Sequence, residues 1–282
     1  MEYSLSCKES NRLYLNNMEI ALNRIVKAIN EREKIVIYGY HDFDSICAIS
    51  LLMLVLRYVN SDVEYFIPNI YRKNRNLIKE DIEDNILCLG ANLIITLGCG
   101  VNSREELKIC KDNNIDIIVT DYHDYSIEDI NCISINQYKS NFKYSFREFT
   151  ACSLTYNFIE VISNYYKISC TKKYLDLVMM GIITTGVNLE YENRLLVEEG
   201  YKMLNITNNY GIIALMKEHN KNYGDTLNFY NEGLKTLLPK MITKKNPNNA
   251  RIIVELFTTN DSYRAKQIAK YLYKELMRKK EI

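Results

Sequence analysis

The chain has 282 residues, of which 47% are hydrophobic and 25% charged, and its formal net charge is +1. This composition predicts a globular protein of one or two closely packed domains, long enough to bury a substantial core. The N-terminal residues are polar and the longest apolar run is short and interrupted, so we expect neither export nor a membrane partner.

The eight cysteines are scattered along the chain, and no two have the CxxC spacing of a zinc or redox motif. Most of them lie in apolar surroundings. The sequence therefore predicts buried, reduced thiols in a cytoplasmic protein.

Charge is distributed unevenly along the chain. Residues 235–282 carry 12 Lys and Arg against 4 Asp and Glu, whereas the remaining residues carry 24 against 31. The asymmetry indicates an acidic partner such as nucleic acid, or alternatively the solvated basic face of a terminal helix.

The first half of the chain alternates between helical periodicity and short apolar runs that are typical of strands. Helices are predicted over 18–31 and 46–56 and after Ser103, which has the spacing of a capping box with Glu106. Strands are predicted over 35–37, 62–67, 93–97, 116–120 and 132–135. This alternation predicts an α/β fold with a parallel sheet and helices on both faces, over residues 1–148.

The second half has only helical patterns, over 149–166, 171–185, 192–204, 210–221, 226–238, 248–256 and 261–280. We expect residues 149–258 to be the helical part of the same domain and residues 259–282 to be a basic, amphipathic connecting helix. No glycine-rich phosphate loop follows any predicted strand, which argues against a P-loop NTPase or a dinucleotide enzyme.

Residues 40–45 (YHDFDS) lie between the first predicted strand and the long apolar helix that follows. In an open parallel sheet ligands bind at the carboxyl ends of the strands, so Asp42 and Asp44 are expected at the mouth of a crevice. Two carboxylates one residue apart on extended backbone can point the same way and hold a hard divalent cation. Alternatively, Asp44 or Ser45 caps the helix and Asp42 favours its positive end.

The stretch around these acids resembles the first motif of the DHH phosphoesterase family, in its RecJ branch of single-strand-specific exonucleases. Gly39, Asp42 and Asp44 match that motif, while Tyr40 replaces its first acid and Ser45 its glycine. The resemblance extends in the correct order from about residue 15 to residue 282. It implies the fold of a DHH domain and, as ancestral chemistry, hydrolysis of phosphodiesters in single-stranded DNA by two metal ions.

The later motifs depart from the family at ligand positions. Gly98, in LIITLGCG, stands in place of the aspartate that bridges the two metal ions. Tyr122 replaces a ligand histidine between the retained Asp121 and His123, and Thr185 replaces the fourth-motif aspartate. A glycine has no donor atom, a phenol is a poor substitute for imidazole, and a hydroxyl is neutral, so the resemblance implies an eroded metal site.

What remains allows one weakly bound Mn²⁺ or Mg²⁺ at Asp42 and Asp44, helped by His41 or Asp124, or no metal at all. The resemblance places His123 near the scissile phosphate and makes it a candidate catalytic residue with Asp121, unless Asp121 is a structural acceptor of backbone hydrogen bonds. His41 is alternatively a hydrogen-bonded surface histidine.

Two further residues, Cys99 and His219, and a basic run near the C-terminus are also candidates for a role in the site. Cys99 is either a soft ligand or a small buried hydrophobe, and His219 is expected to be solvated. The family run that is implicated in gripping substrate corresponds to residues 240–246, which makes Lys240, Lys244 and Lys245 candidate nucleic-acid contacts. RecJ proteins continue into a second domain with a Gly-Gly-His-type motif, whereas this sequence ends at residue 282, so we expect an open cleft unless another chain covers it.

Three functions follow from these expectations. The first is a nuclease-inactive protein that binds single-stranded nucleic acid or a protein partner. The second is a weak Mn²⁺-dependent exonuclease or phosphoesterase that is completed by a partner. The third is a nucleotide-binding regulator. The sequence does not predict the oligomeric state.

Overall fold

The computed structural model describes residues 17–69, 74–124, 132–138, 148–223, 229–242 and 248–278. In these ranges five strands form one sheet in the order β2-β1-β3-β4-β5, and each neighbouring pair is parallel. The strands are β1 (Ile35–Tyr38), β2 (Val63–Phe66), β3 (Leu93–Leu97), β4 (Asp116–Thr120) and β5 (Ile133–Ile135).

Helices surround the sheet and form most of the second half of the chain. Those of the first half are α1 (Met18–Asn30), α2 (Phe43–Tyr58), α3 (Lys79–Asp81), which continues as a π-helix over Ile82–Ile86, and α4 (Arg104–Asp112). Those of the second half are α5 (Ala151–Tyr165), α6 (Leu175–Thr185), α7 (Tyr191–Asn205), α8 (Tyr210–Tyr223), α9 (Leu238–Lys240), α10 (Asn249–Thr258) and α11 (Ser262–Arg278).

The central strands are buried on both faces, which explains their uninterrupted apolar sequences. In β1, Ile35 and Ile37 join a large core with α1, α2 and α5, while Val36 and Tyr38 join a smaller core on the opposite face. Helices therefore cover both faces of the sheet, and the predicted α/β class is confirmed.

The sheet has a topological switch between β1 and β3. The chain passes from β1 to β2 on one side and then returns to form β3 on the other side of β1. At such a point the loops after the two strands diverge and leave a crevice at the carboxyl edge of the sheet. Residues 39–42 follow β1 and residues 98–103 follow β3, so both predicted motif loops lie at this edge of the sheet, which is called the crevice below.

Several local predictions differ from the structure. The helix predicted over 171–185 begins with a 3₁₀ turn, Thr171–Tyr174, as is common at helix ends. The described part of the helix predicted over 226–238 is a π-helix, Phe229–Leu237, that leads into α9. Ser103 does not cap α4 through its side chain, because its Oγ is buried and accepts the Leu77 N–H at 2.7 Å.

The prediction that His219 is solvated is wrong. Its side chain is buried between α8 and α11, where Nδ1 lies 3.1 Å from the Tyr273 hydroxyl and the ring packs edge-on against Phe229. The residues around His219 are polar, so the sequence did not indicate that this position faces the neighbouring helix. Of the described helices, none combines the length and the apolar character that a membrane span requires.

Candidate functional site

Asp42 is the N-cap residue of α2 and is bound on both carboxylate oxygens. Oδ1 accepts the Ser45 N–H at 2.9 Å, and Oδ2 accepts the Ser45 hydroxyl at 3.0 Å. The guanidinium of Arg75 approaches the same Oδ2, with Nη2 at 2.9 Å. Capping and the ion pair together fix the carboxylate at the entrance of the crevice.

Arg75 extends over the crevice from the segment that follows β2. Its Nη1 lies 3.4 Å from the carbonyl oxygen of Gly98, and its Cζ lies 5.9 Å from the centre of the Tyr40 ring. Burial lowers the pKa of Arg75, but the carboxylate of Asp42 and weaker contributions from neighbouring acidic groups together raise it above the ordinary value for arginine. The guanidinium is therefore a permanent positive charge beside both motif loops.

Asp44 points into the protein and is 3% exposed. Its Oδ2 accepts the N–H of Ala151 at 2.7 Å and its Oδ1 accepts the N–H of Cys152 at 2.9 Å. These are the first two amides of α5, which otherwise have no helical acceptor. Burial, and then the neighbouring charge of Asp42, raise the pKa of Asp44 to about 7.

The next amide of α5 has its own partner. Thr150 caps the helix by accepting the N–H of Ser153, and the Ser153 hydroxyl in turn accepts the N–H of Thr150. The whole first turn of α5 is thus satisfied by side chains, two of its amides by an acid more than 100 residues away in sequence.

Gly98 has a left-handed conformation, with φ of 67°, at the end of β3. A Cβ atom added here would lie 2.8 Å from Cβ of Ala151 and 3.3 Å from Cε1 of Tyr122. The first turn of α5 therefore occupies the space that any side chain at this position needs. The close approach of α5 therefore favours glycine at position 98, which has no side-chain donor atom.

Asp121 and His123 form a pair at the end of β4. The Oδ1 of Asp121 lies 2.6 Å from Nδ1 of His123 and also accepts the His123 N–H at 3.1 Å, while its Oδ2 accepts the Val101 N–H at 3.1 Å. The carboxylate is buried, whereas the imidazole side chain is 39% exposed and stacks on Tyr122 at 4.2 Å between ring centres. Asp121 thus accepts backbone bonds and also orients the ring.

The other residues that were considered as metal ligands, or that replace one in the resemblance, do not lie together. His41 is buried, so the interpretation as a surface histidine is wrong; burial lowers its pKa, and Nδ1 has no hydrogen-bond partner among the described residues. Asp124 is exposed. Thr185 is exposed at the end of α6, and its hydroxyl donates to the Ile182 carbonyl at 2.7 Å.

Cys99 and the candidate lysines complete the set. The Cys99 thiol is fully buried and donates to the Tyr38 carbonyl at 3.8 Å, and burial raises its pKa well above the ordinary value, as expected of a small buried hydrophobe. Lys240 is exposed at the end of α9. Lys244 and Lys245 lie outside the described residues.

Sequence reasoning missed Arg75 and the cap formed by Thr150 and Ser153. A basic run, residues 72–75, follows the strand next to β1, and this signal could have indicated a cation near the crevice. Across the described ranges, no three side chains of His, Cys, Asp or Glu converge in an arrangement that could hold a metal ion.

Residues 34–182, just over half of the chain, match the DHH family, N-terminal domain. The chain is 28% identical over 257 residues to the single-stranded-DNA-specific exonuclease RecJ of Bacillus subtilis, covering 90% of this chain and 32% of that protein. The RecJ of Haemophilus influenzae is 27% identical over 286 residues, covering 96% and 48%. The chain therefore spans about a third to a half of the length of these relatives.

Solved structures show the same fold. Exonuclease RecJ bound to manganese aligns with a TM-score of 0.80 at 20% identity, covering 95% of this chain and 67% of that chain. RecJ of Thermus thermophilus in complex with Mn²⁺ aligns with a TM-score of 0.77 at 20% identity, covering 95% and 38%. With the family match, the sheet order and the motif loops at its carboxyl edge, this chain belongs to the DHH family and is RecJ-like.

Proposed function

We propose that this chain binds single-stranded nucleic acid through a RecJ-like DHH domain without efficient hydrolysis of phosphodiesters. One observation carries the proposed loss of hydrolysis: the carboxylates of Asp42, Asp44 and Asp121 all have donors from within the protein, and Gly98 offers neither a ligand nor space for one. The donor set therefore does not fit the two metal ions that the family relationship implies.

Binding of a metal ion by Asp44 would cost free energy. Turning its carboxylate toward the crevice would leave the amides of Ala151 and Cys152 buried without acceptors. An unsatisfied buried donor costs about 1–3 kcal/mol, so the two together oppose ligation by about 2–6 kcal/mol. Metal binding at this acid would compete with the fold itself.

A basic groove between α8 and α11 supports the choice of nucleic acid as ligand. The groove has a volume of about 370 Å³, and its charged lining residues are one acid, Glu218, and four lysines, Lys217, Lys221, Lys266 and Lys270. Lys221 pairs with Glu218, and the other three have no ion-pair partner among the described residues. Clustered lysines on one surface provide the sequence-independent attraction that a phosphate backbone requires.

Two measurements on 5′-labelled single-stranded DNA test the proposal. The purified chain is incubated with Mn²⁺ to detect cleavage, beside His123→Ala, which removes the ring but leaves Asp121 with the backbone N–H groups of Val101 and His123 as donors. Binding is measured over a salt series for wild type, for the double reversal Lys217→Glu/Lys270→Glu, and for a control reversal of two exposed lysines on α4, Lys108→Glu/Lys111→Glu.

We expect binding that weakens with salt and that falls at least about tenfold in the groove variant but not in the control variant. Cleavage that disappears in the His123→Ala variant would overturn the proposal in favour of a weak Mn²⁺-dependent exonuclease. The oriented pair of Asp121 and His123 is the observation that favours this second candidate.

If neither binding nor cleavage is observed, a protein partner becomes the leading candidate ligand. A role as a nucleotide-binding regulator and a cytoplasmic location both remain predictions from the sequence.

A further inference from the structure

We propose that Arg75 is a tethered cation that neutralises Asp42 in the crevice and thereby excludes divalent metal ions from it. The inference rests on the proposed function in one respect, the loss of the two-metal centre. Its test reads out metal binding alone, so that its failure is distinguishable from a failure to bind nucleic acid.

The backbone holds Arg75 at the crevice. Its carbonyl oxygen accepts the N–H of Gly100 at 3.0 Å, and the carbonyl oxygen of the next residue, Asn76, accepts the Tyr40 hydroxyl at 2.6 Å. Gly100 belongs to the loop after β3 and Tyr40 to the loop after β1. The segment is therefore attached to both loops that border the crevice.

Arg75 also adopts a left-handed conformation, with φ of 50°. A residue with a Cβ atom rarely adopts this conformation, and it persists only when the surrounding contacts impose it. The contacts that do so here are the two hydrogen bonds to the crevice loops and the ion pair with Asp42.

The guanidinium is placed where a cation would have to bind. Of the three acids, Asp42 is the one that remains partly exposed, at 31% of its side chain, whereas Asp44 and Asp121 are buried. Arg75 covers the Oδ2 of Asp42 and reaches toward the carbonyl oxygen of Gly98, and both are hard oxygen donors that Mg²⁺ or Mn²⁺ would use. Since arginine does not lose its proton in proteins, an incoming cation meets a fixed positive charge at any pH of interest.

The experiment measures Mn²⁺ uptake by electron paramagnetic resonance and by the shift in Tm on adding Mn²⁺. The central variant is Arg75→Gly, because glycine suits the left-handed backbone and removes the guanidinium without adding strain. Arg75→Lys retains a positive charge, Asp42→Asn/Arg75→Gly removes the freed ligand, and Arg264→Gln is a control that removes a surface guanidinium paired with Glu255.

We expect no Mn²⁺ uptake at millimolar concentration by wild type, Arg75→Lys or Arg264→Gln. Arg75→Gly should bind Mn²⁺ at least about tenfold more tightly than wild type, with a Tm that rises on adding Mn²⁺, and the double variant should lose both effects. Uptake by wild type that equals that of Arg75→Gly would overturn the proposal. So would a folded Arg75→Gly chain that takes up no Mn²⁺, or a double variant that binds as well as the single one. Circular dichroism establishes that each variant is folded.

Discussion

The absence of a side chain at position 98 is enforced by packing, and Gly98→Ala tests this directly. An added Cβ would lie 2.8 Å from Cβ of Ala151, in a backbone conformation with φ of 67° that disfavours any Cβ. Gly90 provides a matched control, because it has nearly the same φ, 71°, and an added Cβ there meets no atom within 4 Å. The two substitutions share the conformational cost and differ only in the steric one.

The expected magnitudes follow from these contacts. A left-handed residue with a Cβ costs about 1–2 kcal/mol relative to glycine, partly offset by the lower entropy of the unfolded chain, so Gly90→Ala should lose about 1 kcal/mol. Overpacking a rigid contact adds about 1–3 kcal/mol, so Gly98→Ala should lose about 2–4 kcal/mol. Introducing the larger aspartate that the resemblance to RecJ implies at this position, Gly98→Asp, should cost at least as much and should not create a metal site by itself.

Urea unfolding at 25 °C gives the free energies of unfolding, and Ala151→Gly completes a double-mutant cycle. Removing the Cβ of Ala151 should relieve the contact, so the Gly98→Ala/Ala151→Gly variant should recover at least about 1 kcal/mol relative to the sum of the single losses. Equal losses for Gly98→Ala and Gly90→Ala, together with a coupling energy near zero, would refute the packing argument.

Three further predictions concern the carboxylates and the segment that carries the guanidinium. Because burial raises the pKa of Asp44 to about 7 in the folded protein, protonation of this acid stabilises the fold fully below about pH 4, and that contribution is lost as the pH rises through about 7. Between about pH 5.5 and about pH 8 wild type should therefore lose about 2 kcal/mol more than Asp44→Asn in urea unfolding, and parallel curves would contradict this. Asp121→Ala should cost about 2–4 kcal/mol because two backbone amides lose their acceptor, whereas His123→Ala should cost less than about 1 kcal/mol; similar losses would show that Asp121 acts only through the ring. Tyr40→Phe removes the hydrogen bond to the carbonyl of Asn76 and should cost about 1 kcal/mol with faster amide exchange in that segment, and unchanged exchange would argue against anchoring.

The sheet could be predicted from sequence because its strands satisfy local rules. Residues 93–97 and 117–120 are mostly apolar runs, rich in β-branched residues and of the length of a buried strand, and the structure has strands there. The α/β class followed from their alternation with helical segments. The interiors of the helices could be predicted equally well from their periodicity. The 3₁₀ and π-helical segments could not, because they depend on packing that no periodicity reveals.

The candidate site could be located but not resolved. The position of this loop at the carboxyl edge of β1 followed from the strand pattern. The capping alternative named the wrong residue, because Asp42 caps α2 in place of the expected Asp44 or Ser45. Which acid caps which helix depends on partners far away in sequence, since Asp42 pairs with Arg75 and Asp44 binds the amide of Ala151 across 107 residues. Long-range contacts of this kind leave no local signature, so the sequence alone allowed both a ligand and a structural role.

The bonds from Asp44 to the start of α5 make the two halves of the chain mutually dependent. A fragment that ends near residue 148 would bury an acid that has lost its donors, and the complementary fragment would begin with two bare amides and an exposed apolar helix face. We therefore expect neither piece to fold alone. Truncation is therefore a poor way to assign activities within this protein, and point substitutions are the better tool.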